Sequence, residues 1–245
     1  MMESAGRRYE RRTPYDTAEV LRARAENEER LPTDTINTPD RNQLRRSIVE
    51  ILYGGGAQRQ EGRADLVLGP PAAGKSTRIA EPLRIRHGAI VIDADIAKEL
   101  LPEYESGRYA GPVHQESSDI ADAIIELAIL AGDNMVLPLI GKNSERVEDL
   151  VRNLRSKGYV VYVHLNELPL EKAAQRAISR FEESGRFVDP AYVFSIGNGP
   201  SITYNELKAK GLVNGYAKYS NDVEIGEQLR LLETSGPGTA VVGEA

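Results

Sequence analysis

One short stretch constrains this chain more than any other. Gly69-Pro70-Pro71-Ala72-Ala73-Gly74-Lys75-Ser76, followed by Thr77, matches G-x-x-x-x-G-K-[ST] in full and comes directly after the apolar run Leu66-Val67-Leu68. A strand that breaks into such a loop and re-enters a helix near Gly74 predicts a nucleoside-triphosphate site. Glycines let backbone N–H groups curl around a phosphate, and the helix N-terminus adds a favourable dipole. In that arrangement Lys75 reaches the β- and γ-phosphates, and the Ser76 hydroxyl ligates Mg²⁺. The motif also predicts a three-layer α/β fold, because its loop belongs to a parallel sheet flanked by helices.

The rest of the chain agrees. Short apolar runs at Ala64–Leu68, Ala89–Ile92, Asn134–Leu139, Tyr159–Leu165 and Tyr216–Tyr219 read as buried strands. Between them, Ile120, Ile124, Leu127 and Ala131 form one helical stripe, and Val147, Leu150, Val151 and Leu154 another. Alternation of this kind implies parallel crossovers and a mainly parallel sheet. Before it, residues 1–60 read as an N-terminal helical extension with mobile first residues. One polar helix runs from Thr17 to Glu29, on the surface or docked on a partner. A second is capped by Thr38 with Pro39 at its first turn. Residues 61–232 form the expected catalytic domain, and residues 233–245 a flexible tail.

Composition narrows the function classes. A net charge of -6 gives no overall positive field for nucleic acid or anionic lipid. The absence of cysteine excludes disulfides, thiol nucleophiles and Cys-ligated zinc. No apolar run approaches the roughly 20 residues of a membrane span, and no apolar stretch follows the basic N-terminus. The expectation is a soluble, cytoplasmic protein without membrane or nucleic-acid partners.

The acids of the second strand end are the next candidates. In Ile90-Val91-Ile92-Asp93-Ala94-Asp95 the carboxylates lie two apart, where an extended chain points both to one side. One can accept a proton from a substrate hydroxyl while the other orients metal or water. Alternatively, Asp95 simply caps the helix that follows. Downstream, Arg180 and Arg186 flank Ser184-Gly185, as arginines of a mobile lid do when they stabilise a transferring phosphoryl group. Arg176 reads instead as part of a solvated face paired with Glu182 and Glu183. On the helix starting at Glu116, Asp119, Asp122 and Glu126 line one side, which a wet surface would also explain. The three histidines are scattered and suggest no metal cluster.

Taken together, GPPAAGKST, IDADIAKELLPEY, HQESSDIADAII ahead of GDNMVL, and SRFEESGR after LNELP resemble the zeta toxin family of P-loop kinases. The similarity runs from about Leu66 to Tyr219. The resemblance implies that Asp95 is the catalytic base, that Asp122 helps position the substrate, and that Arg180 and Arg186 touch ATP phosphates. Asp93, Glu116 and Lys142 complete the expected substrate side. It further implies ATP and Mg²⁺ as cofactors and the 3′-hydroxyl of UDP-N-acetylglucosamine as acceptor. A small helical antitoxin is the implied partner. One stretch departs from the family: Pro138-Leu139-Ile140-Gly141-Lys142 lacks the usual acid and retains only the glycine and the basic residue. That leaves two alternatives open: a P-loop kinase of another small molecule, such as a nucleoside, antibiotic or sugar acid, or a nucleotide-binding regulatory module without turnover.

Overall fold

The computed structural model describes residues 13–28, 38–107, 111–224 and 226–241. The first twelve residues, read from sequence as mobile, lie outside the described residues. Two helices precede the sheet, α1 (Ala18–Glu28) and α2 (Pro39–Tyr53). Thr38 accepts a bond from the Arg41 amide and Pro39 opens α2, while Gly54 ends it at φ 55.

Six strands follow: β1 (Arg63–Leu68), β2 (Ile90–Val91), β3 (Met135–Leu139), β4 (Val160–Glu167), β5 (Gly215–Ser220) and β6 (Arg230–Ser235). Their order across the sheet is β2-β3-β1-β4-β5-β6. The first five are parallel and β6 runs antiparallel to β5. Leu66 pairs with Leu137 on one side and Val163 on the other, which makes one face of the sheet centre apolar, while the other face buries an Asp65–His164 pair at 2.9 Å beside Val67 and Val136.

The helices divide between those faces. A π-helical turn (Ser76–Ala80) continues into α3 (Glu81–His87), and its Ile79 and Leu83 pack on Val67, Val136 and Tyr219. The opposite face carries α5 (His114–Ala131), α6 (Ser144–Ser156) and α9 (Gly199–Ala209), packed on Leu66, Leu68 and Leu165. Ile48 of α2 joins that same core, so this part of the N-terminal extension is built into the domain rather than appended to it. Short elements line the carboxyl end of the sheet: α4 (Ala94–Glu99), a 3₁₀ turn (Pro102–Gly107), α7 (Leu170–Ser184) and α8 (Pro190–Ile196).

Two expectations need correction. The polar helix α1 does not lie free, since Val20 and Ala23 are buried against Phe187. Of the tail expected over 233–245, residues 233–241 pack on the sheet, and residues 242–245 lie outside the described residues. β6 extends to Ser235, and Thr239 and Ala240 are fully buried. The Tyr219 hydroxyl donates to the Thr239 carbonyl at 3.0 Å, and the Val241 amide donates to that hydroxyl at 3.0 Å. Small residues spaced by glycines look like a linker in sequence, yet here Thr239 and Ala240 are buried and Val241 packs against the cluster of Val67, Val136 and Tyr219.

Candidate active site

β1 breaks at Gly69, whose φ is 152 and where an added Cβ would stand 2.6 Å from the Asn166 carbonyl oxygen. Only glycine fits so close to the neighbouring strand. The loop then needs left-handed backbone at Ala72 (φ 56) and Gly74 (φ 81). Ala72 has the sole positive φ of a non-glycine residue among the described residues, a conformation that costs roughly 1–2 kcal/mol. Neighbouring side chains hold the loop in that shape. The Ala73 carbonyl accepts from Asn166 Nδ2 at 2.7 Å and from Asn221 Nδ2 at 2.5 Å. Lys75 Nζ donates to the Gly69 and Pro70 carbonyls, both at 2.9 Å, which uses two of its three donors. Burial pulls the Lys75 ammonium down to about 8, against the attraction of Asp93 and Asp95 and with repulsion from Arg180 and Arg186.

β2 delivers the acids to the same edge. Asp93, not Asp95, is the helix cap: its Oδ1 accepts the Asp95 amide at 3.0 Å. Its other oxygen accepts from Ser76 Oγ at 3.2 Å, which ties the acid to the loop. Burial, and then the charge of Asp95, raises the Asp93 carboxyl. Asp95 occupies the first turn of α4, where Lys98 Nζ reaches Oδ1 at 2.8 Å and Arg186 Nη2 reaches Oδ2 at 2.7 Å. Burial works against its charge, but Lys98 and Arg186 outweigh that and hold the carboxyl far below the ordinary range.

Two arginines complete the ring. Burial disfavours the charge of Arg186, yet Asp95, Tyr104 and Glu99 hold it above its ordinary value. Arg180 is the opposite case: burial and the repulsion of Arg186 lower it. Its Nε is buried with no hydrogen-bond partner. A buried guanidinium donor without an acceptor calls for an anion. Tyr104, only 5% exposed, lies close enough that Arg186, Asp95, Glu99 and Arg180 all act on its phenol, which burial raises.

The structure therefore gathers Lys75, Ser76, Asp93, Asp95, Arg180 and Arg186 at the carboxyl ends of β1 and β2. Other expected site residues lie elsewhere. Glu116 is 4% exposed and cannot serve as an open substrate ligand. Arg41 grips both of its oxygens, Nε to Oε1 at 2.8 Å and Nη2 to Oε2 at 2.5 Å, and Arg45 Nε takes Oε1 at 2.7 Å. Asp122 lies on the exposed side of α5. Lys142 points to Ser195 Oγ at 3.2 Å and stands 5.8 Å from the Tyr192 ring. Arg176 is not merely a solvated face, since its Nη2 donates to the Asn221 carbonyl at 3.2 Å and steadies a loop-holding residue.

A cleft of about 350 Å³ opens beside Pro70, beyond the ends of β4 and β5, with Asn166, Leu168 and Ser201 in its walls. Sequence reasoning missed Asn166, Asn221 and Tyr104. Asn166 left a trace as a polar residue closing an apolar strand; the other two left none. Among the described residues, no cluster of His, Cys, Asp and Glu could by itself hold a metal, and no helix is long and apolar enough to cross a membrane.

Comparison with known proteins bears on this arrangement. No curated protein matches the chain. Solved structures do. A chain of the PezAT chromosomal toxin-antitoxin system of the human pathogen Streptococcus pneumoniae superposes with a TM-score of 0.61 at 18% identity, covering 82% of this chain and 84% of that one. The AvrRxo1-ORF1:AvrRxo1-ORF2 complex with sulphate ions gives 0.62 at 18% identity, over 80% of this chain and 67% of that one. The same complex with ATP gives 0.53 at 18% identity, over 79% and 64%. These likenesses establish the fold. The sequence profile described as zeta toxin matches residues 55–224, well over half of the chain and the whole of the catalytic edge. The phosphate loop, the strand-end acids and the paired arginines thus stand where that family's sequence pattern applies, and the chain belongs to the zeta toxin family of P-loop kinases.

Proposed function

We propose that the protein transfers the γ-phosphoryl group of ATP to a hydroxyl of a nucleotide sugar such as UDP-N-acetylglucosamine. The observation that carries this reading is Asp95, a carboxylate held at 2.7 Å by Arg186 and at 2.8 Å by Lys98 on the edge where the phosphate loop ends.

Phosphate oxygens are received by the loop amides and by Lys75. The acceptor hydroxyl attacks the γ-phosphorus, its proton passes to Asp95, and ADP leaves. Phosphoryl transfer is mainly positioning and charge stabilisation, and the residues divide accordingly. Arg180 brings a buried N–H without a partner, suited to the charge that spreads over the transferring group. Arg186 exchanges Asp95 for phosphate oxygen, and losing that cationic partner raises the basicity of Asp95 when a proton must be taken. The nucleotide base occupies the cleft beside Pro70.

Mg²⁺ fits the donors present. Ser76 Oγ and Asp93 Oδ2 are hard oxygen atoms 3.2 Å apart, and Mg²⁺ at nucleotide sites takes one or two such ligands together with phosphates and waters. When bound, the ion neutralises charge on the phosphates. In the cell we place the enzyme in the cytoplasm, where its cosubstrates are. A small helical antitoxin is the expected partner, since the similar structures come from a toxin-antitoxin system and a two-ORF complex.

One observation favours a different hydroxyl compound as acceptor. The turn Ile140-Gly141-Lys142 lacks the acid usual in the family. It is engaged in propping neighbours, with the Ile140 carbonyl accepting the Gly69 amide at 3.3 Å and the Gly141 carbonyl accepting Thr203 Oγ1 at 2.7 Å. The test is to incubate protein, MgATP and either UDP-N-acetylglucosamine or a metabolite extract, and to look by mass spectrometry for a compound heavier by one phosphate. The expected product is phosphorylated UDP-N-acetylglucosamine. A different product names another acceptor. ATP binding with no product from any source overturns the kinase reading in favour of a regulatory nucleotide-binding module.

A further inference from the structure

The ring of groups around Asp95 has two walls that the phosphate loop does not build. One is the segment after α7 that carries Arg186. The other is the 3₁₀ turn that carries Tyr104. Each is gripped from outside by a helix of the N-terminal segment, and both gripping residues, Arg24 and Arg41, lie outside residues 55–224 that match the family.

The grip on the first wall comes from α1. Arg24 forms a fork on Asp189, Nε to Oδ2 at 2.8 Å and Nη2 to Oδ1 at 2.9 Å, and also bonds Asp16 at 2.8 Å. Asp189 caps α8 through the Ala191 amide at 2.9 Å. Between Asp189 and Arg186 lies Phe187, 4% exposed, wedged against Val20 and Ala23 and edge-on to Phe181 at 5.2 Å. Arg186 thus projects from a segment pinned one residue and three residues away.

The second grip comes from α2. The Arg41 side chain is 8% exposed and bridges two carboxylates. Beyond Glu116 it forks onto Glu103, Nη1 to Oε1 at 2.7 Å and Nη2 to Oε2 at 2.9 Å. Glu103 adjoins Tyr104, the phenol surrounded by Asp95, Glu99, Arg180 and Arg186. A planar guanidinium can hold two carboxylates in fixed orientation; an ammonium cannot.

We propose that α1 and α2 form a brace for the catalytic edge, in which Arg24 and Arg41 are positioning residues that fix Arg186 and Tyr104 around Asp95. The proposal rests on the kinase reading above. General adhesion of a terminal segment would be satisfied by contacts anywhere on the domain. Here two of the three forked ion pairs, Arg24 on Asp189 and Arg41 on Glu103, fall within three residues of the groups that ring Asp95, and the third, Arg41 on Glu116, anchors α2 to α5.

The test uses the full chain and the variants Arg24→Met, Arg24→Lys, Arg41→Lys and Glu103→Gln. Glu103 is the outermost member, with its side chain 27% exposed, so Glu103→Gln keeps the question open if Arg41→Lys does not fold. MgATP binding is measured alone, and transfer is measured with UDP-N-acetylglucosamine as probe. The expected result is an ATP Kd unchanged within about twofold, with kcat per folded molecule down roughly 10–10²-fold, the scale of a catalytic group displaced by about an ångström or less. Arg24→Lys should recover part of the loss. A lower melting temperature with unchanged kcat per folded molecule would reduce both helices to structural ballast and overturn the proposal. A loss of ATP affinity with kcat per folded molecule unchanged would also overturn it.

Amide hydrogen exchange reads the brace without any acceptor. Residues 186–189 should exchange faster in Arg24→Met, and residues 102–107 faster in Glu103→Gln, with residues 69–76 unchanged in both. Unaltered exchange at the two walls sinks the brace. If the wild type makes no product from the probe while exchange responds as stated, the acceptor assignment fails and the brace stands.

Discussion

The two sides of the catalytic edge are made of different materials. The phosphate side is backbone, bent through Gly69, Ala72 and Gly74 and held by amides of Asn166 and Asn221. The opposite side is held by ion pairs between distant side chains: Asp95 with Arg186 at the edge itself and, behind it, Glu103 and Glu116 with Arg41 and Glu116 with Arg45. Backbone geometry is encoded locally, so a short motif can specify it. Ion-pair geometry depends on chain segments that meet only in the folded state. Damage to one side should therefore leave the other in working order.

Asp95→Asn separates the sides most sharply. Transfer should fall by about 10²–10⁴-fold, the usual cost of losing a positioned general base, while ATP affinity stays near the wild-type value. The cap of α4 survives this change because it belongs to Asp93. Single-turnover kinetics beside calorimetric ATP titration checks both halves. Retained transfer would remove Asp95 from the mechanism.

The next effect is on stability. Glu116→Gln leaves Arg41 and Arg45 facing a neutral amide in a buried site, and breaking a buried pair costs about 3–5 kcal/mol. Denaturant unfolding reads this directly, and folded molecules should still bind ATP. Acid should act in the same way. Burial opposes the charge of Glu116, but Arg41 and Arg45 outweigh it and hold the carboxyl below its ordinary 4.5. Its contribution is then full above that value and is lost as pH falls through the lower folded value. In Glu116→Gln this part of the acid dependence should be absent.

These differences explain what was legible in the sequence. Gly69 through Ser76 announced the loop because each residue type answers a local need, and the strand before it was apolar enough to place it. Arg180 and Arg186 could be singled out from a glycine beside a basic residue, and the structure sets them near Asp95. Glu116 looked like a substrate ligand because nothing in its own helix signals a partner 75 residues earlier. Asp93 and Asp95 are two residues apart, so spacing alone could not tell cap from base. β6 escaped notice because Arg230–Ser235 alternates weakly and pairs only at an edge.

Lys75→Ala tests the phosphate side. ATP at 100 times its Kd should stabilise the wild type by about 2.7 kcal/mol, and the variant should lose most of that. A melting curve with and without MgATP is sufficient. An unchanged wild-type melting point at saturating ATP would remove the nucleotide site altogether.

The smallest expected effect tests whether the two sides communicate through charge. Lys75 sits at about 8 because burial disfavours its ammonium, while Asp93 and Asp95 partly support it. Bound phosphate favours the ammonium strongly, so ATP affinity should be full below pH 8. It should decline above that, by at most about tenfold per pH unit, since binding must then take up one proton. Asp95→Asn removes one of the supporting negative charges, so the decline should begin at lower pH in that variant. Arg186→Met removes a repelling positive charge and should move it to higher pH. Calorimetric titrations of MgATP from pH 7 to 9.5 follow all three proteins. If the decline stays at one pH in both variants, Lys75 does not sense the acceptor side, and the two halves of the edge are electrostatically as well as architecturally separate.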